Sequence, residues 1–361
     1  MKRTILLITG FFAALCIAAQ QPFKFAFVSD THIGNQTAEE DLRRTIQSIN
    51  NDSTLAFVVI TGDITEFGSD EELRLAKNIF DSLNKPWHII PGNHDANWSE
   101  SGSNSFKKIF GSETFRFIHN NYLFIGTASG PNMRMSPGQV PREQILWLDS
   151  SLKNLTQKDI PIIYLNHYPQ DTSLNNWYEV IDRLKTKNIQ LILCGHGHSN
   201  RTLNFESIPA VMGRSNLRAR NPVGGYNIVT INNGEAYFEE RNPLTNEQKQ
   251  WAQVRLMPHN YSNDTTTYFR PSYAENFRNR NVKVIWQYQD NSDIGSGTTA
   301  TNNFIIASNT NGFVYALNKK TGKKVWEFKT MGKIYATPAV INNAFLTPNG
   351  MNRPTKKVRK P

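Results

Sequence analysis

Cysteine is nearly absent from this 361-residue chain, which has two, Cys16 and Cys194. Cys16 lies in an N-terminal apolar run, so the mature chain keeps Cys194 alone. That excludes an internal disulfide and a thiolate-rich structural zinc site. Cys194 closes the run Leu191-Ile192-Leu193 and reads as a buried core thiol, not a nucleophile. The chain also lacks a long hydrophobic run. Ile5 to Ala19 is the longest, and it falls short of the ~20 apolar residues that a membrane-spanning helix needs. It follows Met1-Lys2-Arg3 and precedes Gln20-Gln21-Pro22, the layout of a secretory signal peptide over residues 1–19. A secreted or periplasmic protein is expected, with no transmembrane segment in the mature chain. A lipoprotein anchor at Cys16 is the less favoured reading, because Leu15 stands where a small residue is expected.

The body of the chain has little excess charge. Of the formal net +10, two charges are Lys2 and Arg3, five are Arg353, Lys356, Lys357, Arg359 and Lys360, and only three are left for the rest. A near-neutral body with a basic tail argues against a specific nucleic-acid partner. With 21 Phe, 12 Tyr and 7 Trp, the chain is too aromatic to be disordered.

From residue 22 to 243 short apolar runs alternate with helical patterns. Phe25–Val28, Ala56–Ile60, Trp87–Ile90, Tyr122–Ile125, Ile162–Leu165 and Leu191–Leu193 read as buried strands. Ala38–Asn50, Glu71–Leu83, Glu143–Leu155 and Tyr178–Lys187 have apolar residues at helical spacing, and the alternation predicts an α/β layered core. Ala210–Met212, Tyr226–Ile231 and Ala236–Glu239 look like further strands. Residues 244–280 have no clear period and read as a linker or wrapping segment. From residue 281 the pattern changes again: Val282 to Tyr288 recurs in outline as Lys324 to Phe328, each with a Trp. Phe313 to Phe328 resembles the quinoprotein-type (PQQ-like) β-propeller repeat, so residues 281–343 are expected to form an incomplete all-β propeller segment. Residues 344–361 read as a disordered basic tail. Either the chain is a truncated or frameshifted form of a longer protein, or the partial blade docks on the preceding domain.

Each chemistry-bearing motif closes a predicted strand, where open α/β sheets build their sites. In order these are Asp30-Thr31-His32, Gly62-Asp63, Gly92-Asn93-His94-Asp95, Asn166-His167 and Gly195-His196-Gly197-His198. Carboxylate, amide and imidazole donors suit Mn, Fe or Zn. The glycines allow tight turns that bring ligands together. Of eight histidines, five fall in these motifs; His88, His119 and His259 read as structural or solvent-exposed.

This order of motifs resembles the calcineurin-like metallophosphoesterase family. The resemblance implies a four-layer sandwich of two mixed β-sheets flanked by helices. It also implies two divalent metal ions, one on Asp30, His32 and His198, the other on Asn93, His167 and His196, with Asp63 bridging. Attack by metal-bound hydroxide would follow, with His94 as general acid oriented by Asp95. Glu66 stands where purple acid phosphatases have Tyr, so a tyrosinate-ligated site is not expected. Gly62 to Glu66 and Gly92 to Asp95 look more like the cyclic-nucleotide phosphodiesterase subgroup, although an exported protein would not meet cytosolic cyclic nucleotides. Arg214, Arg218 and Arg220 either clamp a phosphate or form an ordinary basic loop. The expected substrate is a small-molecule, lipid or nucleotide phosphate ester, a diester in preference to a monoester. The alternative is an envelope binding protein whose propeller recognises a partner and whose metal site is vestigial.

Overall fold

Segment composition sets most of the local structure. Ser69 starts a helix because its hydroxyl accepts the Glu72 N–H at 3.1 Å while the Glu72 carboxylate accepts the Ser69 N–H at 3.2 Å, a reciprocal cap. The computed structural model describes residues 21–346 apart from 98, 100, 131–136, 220, 342 and 343. The signal-peptide segment, Arg220 and residues 347–361 lie outside the described residues, while Ala344–Leu346, read as the start of a disordered tail, is a strand that pairs with Ala339–Ile341.

The elements follow in the order β1 (Phe23–Val28), α1 (Ala38–Asn51), β2 (Leu55–Ile60), α2 (Asp70–Phe80), β3 (Trp87–Ile89), α3 (Asn93–Asn97) and α4 (Asn104–Phe110). Then come β4 (Phe115–His119), β5 (Tyr122–Gly126), α5 (Arg142–Leu152), β6 (Ile162–Leu165), α6 (Trp177–Leu184) and β7 (Ile189–Cys194). The domain ends with β8 (Arg201–Phe205), β9 (Ile208–Met212), β10 (Tyr226–Asn232), β11 (Glu235–Arg241) and β12 (Gln248–Arg255). Two mixed six-stranded sheets result, ordered β12-β11-β10-β1-β2-β3 and β4-β5-β6-β7-β9-β8.

Strand alternation explains how they stack. Phe25, Phe27, Phe57 and Val59 meet Phe124, Ile163, Leu165, Leu191 and Leu193 between the sheets. The opposite faces, through Ala26, Val28 and Val58 or Tyr164 and Ile192, are covered by α1 and α2 on one side and α5 and α6 on the other. This is the expected α/β four-layer sandwich. Cys194 is fully buried, and burial pushes its thiol well above the ordinary range.

Three strands of this domain escape the sequence reading. β4 and β8 alternate exposed and covered residues at sheet edges, which dilutes their apolar signal. β12 lies inside the segment read as a linker: it pairs antiparallel with β11 and buries Ala252, so the domain runs past residue 243 to Arg255. Beyond it the chain wraps the domain, with Tyr261 in the core and Arg270 pairing with both Asp182 and Glu206.

The C-terminal region forms a separate four-stranded antiparallel sheet, β13 (Thr299–Ala300), β14 (Phe304–Ser308), β15 (Phe313–Asn318) and β16 (Lys324–Lys329), followed by the hairpin β17 (Ala339–Ile341) and β18 (Ala344–Leu346). Trp286 packs over Gly322 and donates to the Lys319 carbonyl at 2.9 Å. No closed ring of blades is present among the described residues. The sheet docks on the first domain: the Arg142 N–H donates to Asp293 at 3.0 Å and Ser292 donates to Glu143 at 2.9 Å. Lys333, half-buried beside it, pairs with Glu113 at 2.7 Å. Among the described residues no helix is long and apolar enough to cross a membrane.

His88 gives this core an acid-sensitive point. Its ring stacks on Phe117 at 3.8 Å between centroids, and burial pushes its pKa down to about 4 from 6.5. The fold therefore keeps the neutral ring, and stability present above about pH 6.5 is lost as pH falls toward 4. Between pH 7 and 5 the expected loss from this residue is about 1 kcal/mol after solvent screening. Urea midpoints of His88→Phe and the parent at both pH values check this: an identical acid-side loss in the variant excludes His88 as the cause.

Candidate metal centre

Five strand ends converge on one edge of the two-sheet sandwich. Asp30 and His32 follow β1, Asp63 follows β2, Asn93 and His94 open α3 after β3, His167 follows β6, and His196 and His198 follow β7. Backbone bonds tie these loops together. The Asp30 N–H donates to Gly62 O at 3.0 Å, His32 N–H to Asp63 O at 3.0 Å, and Gly195 N–H to His167 O at 3.0 Å. Gly62 has φ of +94°, and a Cβ there would sit 2.6 Å from the Gly92 amide nitrogen, so the β2 and β3 loops touch only because the residue is glycine.

Donor atoms gather in three groups among the described residues: two share the Asp63 carboxylate, and a third, His32, Glu66 and His94, adjoins the first. Asp30, His32, Asp63 and His198 form the first, and Asp63, His167 and His196 the second, with the ligand atoms of each group within 4.8 Å of one another. Nε2 of His32 and Nε2 of His198 face each other at 3.2 Å, and His198 Nε2 lies 3.2 Å from Asp30. In the second group Asn93 Oδ1 lies 3.0 Å from His167 Nε2 and 2.9 Å from His196 Nδ1. His167 is anchored from behind, its Nδ1–H donating to Thr61 O at 2.7 Å, which aims Nε2 inward.

These residues fit two divalent cations. Asp30 and Asp63 are fully buried with imidazoles for company, and buried carboxylates demand positive charge. Burial opposes ionisation of Asp63, yet the charge and hydrogen bond of His167 hold it well below the usual carboxylate range. Burial would likewise depress His167, but Asp63 pushes it up to about 9. Burial and the His167 charge push His196 down to about 4, leaving a neutral ring with a free lone pair. The backbone is strained as well: Asp30, His32, Asp63, His196 and His198 have φ of 53°, 49°, 48°, 69° and 54°. Left-handed non-glycine residues cost about 1–3 kcal/mol each and persist where function requires the geometry.

His94 stands beside the ligands. Its Nδ1–H donates to Glu66 O at 2.6 Å, its backbone N–H donates to Asp63 Oδ1 at 2.9 Å, and its ring meets His32 edge-on at 4.8 Å. Asp95 does not orient it, contrary to the sequence expectation. The Asp95 carboxylate is spent on the Gly92, Ile64 and Thr65 N–H groups and the Thr65 hydroxyl, pinning the β2 and β3 loops to each other. Glu66 was legible as a motif position but not for its two contacts, the carbonyl on His94 and a carboxylate oxygen 3.1 Å from His32 Nδ1. Tyr168, stacked on His196 at 4.1 Å, carried no sequence signal. Arg214 and Arg218 are not brought to the metal ligands: Arg214 pairs with Glu240, and Arg218 with Glu40 and Asp41.

Residues 23–200 match the family model for calcineurin-like phosphoesterases. The chain is 29% identical over 210 residues to a probable glycerophosphodiester phosphodiesterase of Arcobacter nitrofigilis, a match covering 50% of this chain and 74% of that protein. It is 25% identical over 203 residues to a probable cyclic nucleotide phosphodiesterase of Fibrobacter succinogenes, covering 51% and 75%. The fold is similar to that of a dimetal phosphatase from Danio rerio, with a TM-score of 0.51 at 15% identity over 65% of this chain and 99% of that one. With the motif order, the sandwich and the paired donor groups in agreement, residues 23–200 are a calcineurin-like phosphoesterase domain, and the chain is a metal-dependent phosphoesterase.

Proposed function

We propose that the chain is an exported dinuclear-metal phosphodiesterase acting on small phosphodiesters of the glycerophosphodiester type. The sharing of Asp63 by two donor groups is the observation that carries the dinuclear reading. The names of the relatives support a diester substrate, and the N-terminal run Ile5 to Ala19 supports export.

When bound, two divalent cations (Mn, Fe or Zn) supply Lewis-acid charge to the phosphate oxygens and make water more acidic. The chain's own residues do the rest. Asp63 sets the spacing of the two groups, and Asn93, His167 and His196 define the second. His94 donates through Nδ1 to Glu66 O, so in its imidazolium form Nε2–H is the second donor, and it would pass that proton to the departing alkoxide and return to the neutral ring. The cost of developing negative charge on that oxygen falls accordingly.

Treating purified protein with a chelator should abolish hydrolysis of bis(p-nitrophenyl) phosphate, and adding Mn should restore it. Glycerophosphodiesters should be turned over faster than the matching monoesters. Chelator-insensitive turnover overturns the metal reading, and a monoester preference overturns the diester reading.

A further inference from the structure

Away from the metal ligands, docking of the C-terminal sheet creates a second cavity of about 900 Å³, a size typical of small-molecule sites at ~300–1,000 Å³. One wall is α4, the turn at 111–114 and the start of α5; the other is the module's loops at 310–311 and 329–333. Charge is unevenly satisfied around it. Lys333 is used by Glu113, Asp70 by Arg74, and Glu143 accepts from Ser292. Lys107 and Lys108 on α4 have no acidic partner among the described residues, and Lys329 on β16 is held over Phe313 by the Asn311 carbonyl.

The lysines thus line one cleft from its two walls. Burial lowers the pKa of Lys329 and the charge of Lys107 lowers it further, while Glu143 acts the other way. Burial also raises Glu143 above its ordinary range, and its carboxylate, shared with Ser292, is the acid nearest in effect to Lys329. The remaining lining is rich in hydroxyl and amide groups, with Trp147 as an apolar face. Such a surface suits a ligand that has an anionic head and several hydroxyls.

We propose that this cleft binds a phosphorylated polyol, its phosphate bridging Lys107 and Lys329 and its hydroxyls meeting the walls. Binding there would replace a repulsion between the two units with a shared counter-charge and tighten the docked module. The module also reaches the active-site side. The Lys333 N–H donates to Asn104 Oδ1 at 2.8 Å, and Ser103, one residue earlier, donates to Ala96 O at 3.3 Å on the helix that carries Asn93 and His94. Occupancy of the cleft is therefore connected to the catalytic helix by two hydrogen bonds and a short stretch of chain.

The test uses the metal-loaded full chain, and a Lys107/Lys329 double variant, which leaves the catalytic residues intact, separates this cleft from the catalytic site. Glycerol 3-phosphate is titrated calorimetrically, with glycerol as the uncharged control. Vesicles containing phosphatidylglycerol form a second arm that separates a lipid headgroup from a soluble phosphate. Saturable binding in either arm, absent with glycerol, is expected. It should weaken about tenfold or more in Lys107→Gln/Lys329→Gln, since each lost charge-assisted bond is worth about a factor of ten. The double variant should keep the parent's circular dichroism and melting temperature in the absence of ligand. Binding in neither arm, equal binding of glycerol, or unchanged affinity in a folded double variant overturns the proposal.

Discussion

Asp63→Asn is expected to lower kcat/KM for a phosphodiester about a thousandfold, equivalent to about 4 kcal/mol of transition-state stabilisation. The substitution keeps the side chain's shape and removes its charge. Asp63 is the one residue common to both donor groups, is almost fully buried, and lies 3.1 Å from His167 Nε2. An amide in its place accepts through one oxygen instead of two, so it cannot hold both groups at a fixed spacing. Bound metal should fall from two equivalents toward one, with the circular dichroism unchanged. Metal analysis and steady-state kinetics on the same preparation check this. Two retained equivalents with parental turnover would remove Asp63 from the bridging position.

His94→Ala is expected to separate proton donation from metal binding. Its contacts run to Glu66 O and, through its backbone, to Asp63 Oδ1, and the proposed mechanism keeps it outside the two groups that share Asp63. Metal content should therefore be unchanged. For an ester with an alkyl leaving group kcat should fall about 10²–10⁴-fold, the range of a lost general acid. For a p-nitrophenyl ester, whose leaving group departs without a proton, the loss should be less than about tenfold. The contrast between substrates is the diagnostic. An equal loss on both would mean that His94 holds the Asp63 loop in place and supplies no proton.

The strand-end motifs made most of the centre legible, because metal-ligand chemistry is written in residue types and those types sit at the ends of apolar runs. The buried strands were legible for a similar reason: Val58 to Ile60 or Leu191 to Leu193 have no polar interruption. β12 was not, since a strand with one exposed face and Gln-Lys-Gln at its start looks like any polar loop until β11 offers it hydrogen bonds. Asp95 was misassigned because adjacency in sequence suggested a partnership with His94. In space its carboxylate is closer to the N–H groups of Ile64 and Thr65, about thirty residues away in the chain. Arg214 and Arg218 have the right chemistry for phosphate, but acidic neighbours on β11 and α1 already occupy them.

By itself, the sequence determined the donor inventory, the alternation that places each donor after a strand, and the absence of disulfide or thiolate alternatives. Those are local properties, readable within a few residues. Only the tertiary structure decided which donors face one another. His32 meets His198 across 166 positions of chain and His196 meets Asn93 across 103. Distances between segments so far apart are set by sheet order and loop contact, not by spacing along the chain. The same holds for the docked C-terminal sheet: the apolar runs of β14, β15 and β16 were visible, whereas Val282–Tyr288, read as the matching half of the repeat, forms no strand, and the cleft with α4 and α5 exists only where two surfaces meet.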